Sequence, residues 1–276
     1  MALYRYTWRT FGRELMLLLI TIVFFSPMYV FVVLMMKSTP ETYAANPLGV
    51  PDHVETANFT TAWAAGMGRA MVNSIIITAG SVVVLVFLGS LCAYTIARRP
   101  GRLSGTLYVL FLVGIILPTN LGLIPVYVVM KHLHLTQSYI GMIIFYSGLL
   151  VPLSVFLYTG FVRTLPREYE ESARVDGAGV LRTFFRVVLP LMRPVTATVA
   201  IIIGLITWND FFHPLIFLNG SDKEPLPLAV YSLAAQYTSQ WNVLFAALAI
   251  SMLPMLAFFL VAQRRLVATL AGGLRG

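Results

Sequence analysis

Few side chains in this sequence are of the types that catalyse reactions or bind metals, and those few are scattered. The single cysteine, Cys92, lies inside an apolar run, so the chain can form neither an intrachain disulfide nor a cysteine metal cluster. Glu170 and Glu171 are adjacent, so on a helix their side chains point about 100° apart and do not form an acid–base pair. Patterns of a phosphate-binding P-loop, a zinc-protease helix and a serine-hydrolase turn are absent from the sequence. We therefore predict no catalytic residue, no metal site, no cofactor and no enzymatic activity for this chain alone.

The densest group of charged residues lies between residues 163 and 194, with apolar runs on both sides. A hydrophilic segment of this length between two apolar runs is typical of a loop that contacts a partner in water. Its charged residues are Arg163, Arg167, Glu168, Glu170, Glu171, Arg174, Asp176, Arg182, Arg186 and Arg193.

This loop has the local pattern of a helix, a break and a second helix. Pro166 suits a first helical turn, and three acids follow it, close to the positive end of the helix dipole. Gly177 and Gly179 then end the helix, since glycine adopts the left-handed conformation readily. A second helix is expected from about Val180 and is expected to end at or before Leu189, because the residue before a proline is disfavoured in the helical conformation.

The spacing of residues in the loop matches a known motif. Glu171-Ser172-Ala173 is followed after three residues by Gly177, and after nine further residues by Val187-Val188-Leu189-Pro190. This arrangement resembles the EAA loop of ATP-binding-cassette (ABC) importer permeases, E-A-A-x-x-x-G, nine residues, then I-x-L-P. Serine replaces the family's second-position alanine and valine its isoleucine, and both changes conserve size. The resemblance implies that the loop contacts ATPase subunits through Glu171, Ser172, Ala173, Asp176, Gly177, Leu189 and Pro190.

The resemblance covers roughly residues 58 to 276 and is closest to the second permease of maltose-type sugar importers. It includes Asn73-Ser74, Trp208-Asn209-Asp210 and Ala271-Gly272-Gly273. It implies a type I ABC-importer fold in a bacterial or archaeal plasma membrane. The implied partners are a homologous second permease, two ATPase subunits that bind ATP and magnesium, and a solute-binding protein outside the membrane. A sugar or oligosaccharide is the implied solute, and a glycerol-phosphate is the alternative.

The composition is that of a membrane protein. Charged residues make up 11% of the chain, whereas soluble domains have about 25%. Six apolar runs are each long enough to cross a hydrocarbon core of about 30 Å as a helix. We therefore predict an all-α membrane protein with six transmembrane helices, the first too long to be the core of a signal peptide. The runs are Leu15–Met36, Ala70–Ala97, Leu103–Met130, Ser138–Val162, Val195–Leu218 and Trp241–Ala262.

The basic residues are distributed unequally between the two sides that these runs define. Fifteen lie in segments on the side of the N-terminus, and four lie in segments on the other side. Because cytoplasmic segments carry the excess of basic residues, both termini and the EAA loop are expected to be cytoplasmic. The net charge of +8 then reflects orientation in the lipid bilayer rather than binding to nucleic acid.

Several polar residues inside the predicted spans are candidates for the solute path. Asp210 lies about 22 Å along the fifth run, past the middle of the core, and a carboxylate there should face the bundle interior. Trp208 offers a ring face of the kind on which sugars pack. Helix–helix contact is the alternative role for Asn120, and pairing with an arginine or a backbone N–H is the alternative for Asp210. Pro152 is expected to break the fourth run. The candidates are Asn120, Trp208, Asn209 and Asp210.

The C-terminal segment has a predicted role of its own. Gly272 and Gly273 are small enough to enter a cleft in the ATPase dimer, and a frayed terminus is the alternative.

The predicted division of the chain is 1–69 for the first transmembrane helix and a periplasmic connection, 70–262 for the permease core with the EAA loop at 163–194, and 263–276 for a cytoplasmic tail.

Two other classes of membrane protein fit the sequence less well. A secondary transporter uses ion-coupling acids at mid-membrane, and here only Asp210 lies inside a predicted span, toward its outer side. A membrane-embedded enzyme needs histidines and acids clustered near one membrane face, and the sequence has no such cluster.

Overall fold

The computed structural model describes the backbone of residues 8–44, 46, 48–237 and 240–272, and their side chains except those of residues 9, 119, 120 and 261–272. All regular secondary structure in these ranges is helical, as the sequence predicts. Four helices are long and apolar enough to cross a membrane, and one bent pair of helices makes a fifth if it is counted as one span. Contacts divide the chain into two compact units, and the predicted division at residues 69 and 262 stays a prediction.

The first unit comprises Met1–Met67 and Val230–Met255. It contains helices α1 (Trp8–Met36), α2 (Thr39–Thr42) and α3 (Ala57–Ala62), and amide hydrogen bonds join α3 to the end of α1. Asn58 Nδ2 donates to the carbonyl oxygens of Met35, at 3.0 Å, and Lys37, at 2.8 Å. Asn242 Nδ2 donates to Asn58 Oδ1 at 2.7 Å. These bonds satisfy polar groups that would be costly to bury alone.

The second unit comprises Gly68–Ala229 and Leu256–Gly276. Two helices contribute to both units, α13 (Leu226–Gln236) and α14 (Trp241–Gly272). The other helices of the second unit are α4 (Gly68–Arg98), α5 (Arg102–Ile116), α6 (Leu123–His132), α7 (Tyr139–Thr164), α8 (Glu168–Val175), α9 (Val180–Thr183), α10 (Leu189–Leu191), α11 (Arg193–Asn209) and α12 (Phe212–Phe217).

Helices α4 and α7 form the centre of the second unit. A Cβ atom on Gly89 would collide with Ser154 Oγ, and one on Gly80 would collide with the side chain of Ile143, so the two backbones approach closely at both positions. Ser154 Oγ also donates to the carbonyl oxygen of Leu85 at 3.0 Å. Small residues at a helix contact are typical of membrane helix packing.

Hydrogen bonds at both ends show that α4 and α7 run in the same direction. Tyr139, which begins α7, donates its hydroxyl proton to Asn73 near the start of α4 at 2.6 Å. At the other end, Arg98 Nη2 donates to the carbonyl oxygen of Leu165 at 2.9 Å. The chain therefore returns from one end of this pair to the other between Arg98 and Tyr139.

Helix α11 runs opposite to α7. The Tyr158 hydroxyl bonds to Thr196 Oγ1 at 3.0 Å near the start of α11, and the Tyr146 hydroxyl donates to Asp210 Oδ2 at 2.9 Å just after its end. The aliphatic and aromatic side chains between these bonds form a buried core that includes Met142, Val155, Val199 and Ile203.

The third apolar run is not one helix, contrary to the prediction. Helix α5 ends at Ile116, Leu117 is extended with ψ 133°, and a 3₁₀ turn precedes α6. Pro118 causes the break, since it has no N–H to donate and pushes the preceding residue out of the helical region. The prediction that Pro152 breaks the fourth run is wrong, because α7 continues through it.

The fifth run is also interrupted. Helix α11 ends at Asn209, Asp210 has an extended ψ of 123°, and α12 follows. Pro214 lies four residues after Asp210, so a continuous helix would bring its ring against the Asp210 carbonyl group. The interruption places a carboxylate beside the first N–H groups of α12, for which a helix offers no acceptor of its own.

Candidate functional site

The loop between α7 and α11 is a bent helical segment. It contains α8, then α9, a π-helical turn at Phe184–Val188, and α10. The segment Val180–Leu191 meets Arg193–Asn209 at an angle of 75°. The segment before α11 therefore lies at a steep angle to the axis of α11.

Acids occupy the first turn of α8, as the sequence predicts. Pro166 lies before the helix rather than in its first turn, so that prediction is wrong; Arg167 is the N-cap residue. The Leu165 residue ahead of the proline is extended with ψ 129°, which is the conformation that the proline ring favours.

Glu170 and Glu171 have opposite environments. Glu170 is 4% exposed and Glu171 is on the exposed face of α8. Arg98 Nε lies 2.6 Å from Glu170 Oε1, and the Tyr94 hydroxyl donates to Glu170 Oε2 at 2.9 Å. Both partners belong to the last two turns of α4, so Glu170 fixes α8 onto a span and leaves Glu171 free to face a partner.

The pairing of Arg98 with Glu170 is not predicted by any pattern in the sequence. Arg98 was significant in the sequence only as one of the basic residues that orient the chain. The available signal was its place at the end of an apolar run, because a cation that ends a span must leave the hydrocarbon or find an acid.

A Schellman motif ends α8 at Gly177. The Gly177 N–H donates to the carbonyl oxygen of Arg174 at 3.0 Å, and the Ala178 N–H donates to that of Ala173 at 2.9 Å. Gly177 has φ +77°, the left-handed conformation that the sequence predicts. Gly179 has φ −70° and is the N-cap residue of α9, so it does not act as a second left-handed stop.

The predicted contact residues of α8 lie toward its outer face. Ser172 and Asp176 are exposed and Ala173 is partly exposed. Val175 is 87% exposed, which leaves apolar surface on an otherwise charged loop. Exposed apolar side chains framed by charges are typical of a surface that binds a protein.

The helix after the break does not end before Pro190, contrary to the prediction. Leu189 is helical, with φ −59° and ψ −42°, and Pro190 lies inside the first turn of α10. The π-helical turn that precedes it inserts one extra residue, so the backbone groups opposite the proline are displaced from their usual partners. Leu189 and Pro190 are both partly buried in this bend.

Asp210 makes contacts on both carboxylate oxygens. Besides Tyr146, His213 Nδ1 lies 2.5 Å from Asp210 Oδ2, and the Phe212 N–H donates to Asp210 Oδ1 at 3.0 Å. Asp210 thus caps α12 and connects it to α7. This geometry corresponds to the structural alternative, with a backbone N–H and a histidine as partners rather than an arginine.

The remaining predicted residues are less connected. Trp208 is partly exposed, and Asn209 is exposed with its amide nitrogen donating to the Leu205 carbonyl oxygen at 2.8 Å. The side chain of Asn120 and residue Gly273 lie outside the described part of the chain. Gly272 is the last residue of α14, so the segment from residue 263 to Gly272 is helical.

Among the described residues, no group of three or more histidines, cysteines, aspartates or glutamates could hold a metal ion. Asp210 and His213 are a pair, and each is used to hold α12.

Comparisons with known proteins agree on one family. A family model described as "Binding-protein-dependent transport system inner membrane component" matches residues 85–271. The chain is 33% identical over 270 residues to the melibiose/raffinose/stachyose import permease protein MelC of Bacillus subtilis, covering 96% of this chain and 97% of that protein.

Two further relatives and one solved structure show the same likeness. The chain is 32% identical to the probable starch degradation products transport system permease protein AmyC of Thermoanaerobacterium thermosulfurigenes, with 93% of each chain covered. It is 33% identical to the diacetylchitobiose uptake system permease protein NgcG of Streptomyces coelicolor, over 94% of this chain and 86% of that one. A chain from a bacterial ABC transporter involved in alginate import has the same fold, with TM-score 0.79, 19% identity, and coverage of 96% and 99%.

Proposed function

Since this chain belongs to the family of binding-protein-dependent transport system inner membrane components, we propose that it is one permease of an ATP-driven importer for a sugar or oligosaccharide. One observation carries the coupling part of this proposal. Helix α8 is fixed to a span by a buried acid, Glu170, and presents its other face, with Glu171, to solvent. A partner that moves α8 would therefore move α4.

The solute class rests on the relatives. The three permeases compared above are named for melibiose, raffinose and stachyose, for starch degradation products and for diacetylchitobiose. All of these are oligosaccharides or fragments of polysaccharides, which favours a neutral oligosaccharide over a glycerol-phosphate. The predicted solute path is Asn120, Trp208, Asn209 and Asp210. We propose that Asn120, Trp208 and Asn209 line it and that Asp210 positions Trp208 and Asn209 by holding the break between α11 and α12.

The proposed membrane arrangement has six spans with both termini in the cytoplasm, in the plasma membrane of a bacterium or archaeon. The parallel directions of α4 and α7 support a crossing by α5 and α6 together, because the chain must return between them. The opposite direction of α11 supports a further crossing. Helices α1 and α14 are long and apolar enough to be the remaining two.

Single cysteines test this arrangement in a variant that lacks Cys92. Cysteines at Ser104 and Gly273 should react only with a cytoplasmic reagent, and cysteines at Ala44 and Ser221 only with an external one. Labelling of the Ser221 and Gly273 positions from the same side would contradict six spans.

The proposed partners are a homologous second permease, two ATPase subunits that hold ATP and magnesium, and an external solute-binding protein. ATP binding closes the ATPase dimer, α8 moves with it, and the spans change between outward and inward access. We also propose that Gly272 and Gly273 contact the ATPase dimer. Deletion of residues 270 to 276 should then lower substrate-stimulated ATP hydrolysis, and unchanged hydrolysis would assign these residues no such contact.

Uptake by the purified assembly in proteoliposomes tests the function. Labelled oligosaccharide should accumulate with ATP and the binding protein present and with no ion gradient. Uptake driven by an ion gradient without ATP would instead identify a secondary transporter.

A further inference from the structure

A groove lies beside the Arg98–Glu170 pair, between the end of α4 and the turn from α8 to α9. Its volume is about 330 Å³. One wall is the face of α4 from Leu91 to Arg98, continued by Arg99 directly after the helix. The other wall includes Arg174, Leu181 and Phe184. The groove is thus built partly by a predicted span and partly by the loop outside it.

The groove is apolar at one end and basic at the other. Leu91 and Arg99 are eight residues apart, which is about 12 Å along a helix. Leu91 lies in the uncharged part of α4, whereas Arg98 and Arg99 are the first charges after it. In the proposed membrane arrangement, on which this inference rests, the apolar end reaches hydrocarbon depth and the basic end lies at the level of lipid phosphates.

The basic end of the groove has more arginines than acidic partners. Arg98 is paired with Glu170. Arg99 and Arg174 are exposed, and among the described side chains neither guanidinium has an acidic partner within an ion-pair distance. An anion is the complement that these two guanidinium groups lack, and a guanidinium group binds phosphate oxygens well.

We propose that this groove binds one anionic phospholipid, with the phosphate at Arg99 and Arg174 and an acyl chain along Leu91 and Leu181. An exposed Leu181 beside arginines suits an acyl chain that enters from the bilayer, since basic pockets on the cytoplasmic side of membrane proteins bind anionic headgroups. Because the groove touches both α4 and the α8–α9 turn, the bound lipid would stabilise the loop against the span.

Native mass spectrometry of the complete importer complex tests the proposal. The complex is reconstituted into nanodiscs of phosphatidylcholine and phosphatidylglycerol in a ratio of about three to one. It is then released from them in the mass spectrometer, and the lipid molecules that remain bound are counted. The wild type should retain phosphatidylglycerol in preference to phosphatidylcholine. The R99A/R174A variant should bind it roughly 30-fold more weakly, which corresponds to about 1 kcal/mol for each arginine.

The matched control is R102A/R182A, which removes two exposed arginines near the same membrane face that do not line the groove. It should retain the lipid as the wild type does, and R99K/R174K should restore part of the binding. Equal retention by R99A/R174A and the control would overturn the proposal. So would displacement of the lipid by millimolar inorganic phosphate, which would indicate a site for a free anion. Loss of ATPase subunits from R99A/R174A with no change in retained lipid would assign the groove to the ATPase instead.

That last outcome leaves the proposed transport function intact, because the uptake assay measures it independently. Conversely, absence of ATP-driven uptake in the wild type would reject the transport function without affecting the lipid count.

Discussion

Arg98 and Glu170 form an ion pair between the last turn of α4 and the first turn of α8, with 2.6 Å between Nε and Oε1. The Arg98 side chain is 10% exposed and that of Glu170 is 5% exposed, so water screens the pair only weakly. Arg98 also donates to the carbonyl oxygen of Leu165, which lies between α7 and α8. One guanidinium group thus binds both α8 and the backbone that leads into it. This contact attaches α8 to the end of α4.

Glu170→Gln should weaken that attachment. The amide keeps a hydrogen-bond acceptor but removes the charge opposite Arg98, so we expect a loss of about 2 kcal/mol in the free energy of unfolding. Glu168→Gln is the matched control, because this carboxylate on the same helix is exposed and is not a predicted ATPase contact. Thermal unfolding of the purified complex should show a lower Tm for the Glu170 variant only. Equal Tm values for the two variants would show that the buried pair contributes nothing to stability.

Gly177→Val should uncouple the ATPase while leaving the chain in the membrane. Gly177 has φ +77°, which costs a side-chain-bearing residue about 1–2 kcal/mol and more if it is β-branched. Gly179→Val is the control, since Gly179 has φ −70° and its Cβ would meet open space. Membrane content, ATPase co-purification and transport are measured for both. Full ATPase binding and transport by the Gly177 variant would remove the loop from the coupling mechanism.

Gly89→Ala should force α4 and α7 apart. The added methyl group would collide with Ser154 Oγ, and overpacking of this kind costs about 1–3 kcal/mol. Gly160→Ala, on α7 with open space around it, is the control. Detergent-solubilised Gly89→Ala protein should have a lower Tm than the control, and adding Ser154→Gly should recover part of the difference. No recovery in the double variant would mean that another contact is responsible.

Asp210→Asn should affect stability and assembly rather than solute preference. Its carboxylate oxygens are taken by Tyr146, His213 and the Phe212 N–H, so an amide loses part of this set and disturbs α12. Asn209→Ala, which removes only a bond to the Leu205 carbonyl oxygen, is the comparison. We expect reduced assembly with the second permease for Asp210→Asn, and a changed apparent affinity for the solute for Asn209→Ala. A changed solute preference in a fully assembled Asp210→Asn complex would instead place the carboxylate in the path.

Much of the fold follows from local patterns in the sequence. Apolar runs indicate where the long helices lie. The acids mark where α8 begins and Gly177 marks where it ends, because dipole and backbone effects act within one or two turns. The helix boundaries that the sequence predicts wrongly lie at prolines. Pro118 breaks a helix, while Pro152 and Pro190 do not, because the outcome depends on whether neighbouring turns can release the proline's carbonyl partner.

The candidate site was only partly predictable for a different reason. The EAA spacing identifies Glu171 and Gly177 along the chain, but the partner of Glu170 is 72 residues away in sequence. The contacts of Asp210 similarly depend on α7 lying beside α11. Contacts between distant segments follow from helix packing, and no local pattern in a single sequence predicts which helices pack together.

The central claim is that α8 contacts the ATPase subunit, and crosslinking from α8 tests it most directly. In a variant that lacks Cys92, a cysteine at Ser172 carries a short photo-crosslinker, and membranes containing the whole importer are illuminated. The account predicts an adduct of this chain with the ATPase subunit, and no such adduct from a control cysteine at Asp222, which lies on the opposite side in the proposed arrangement. Absence of the Ser172 adduct while the ATPase still co-purifies with the chain would contradict coupling through this loop.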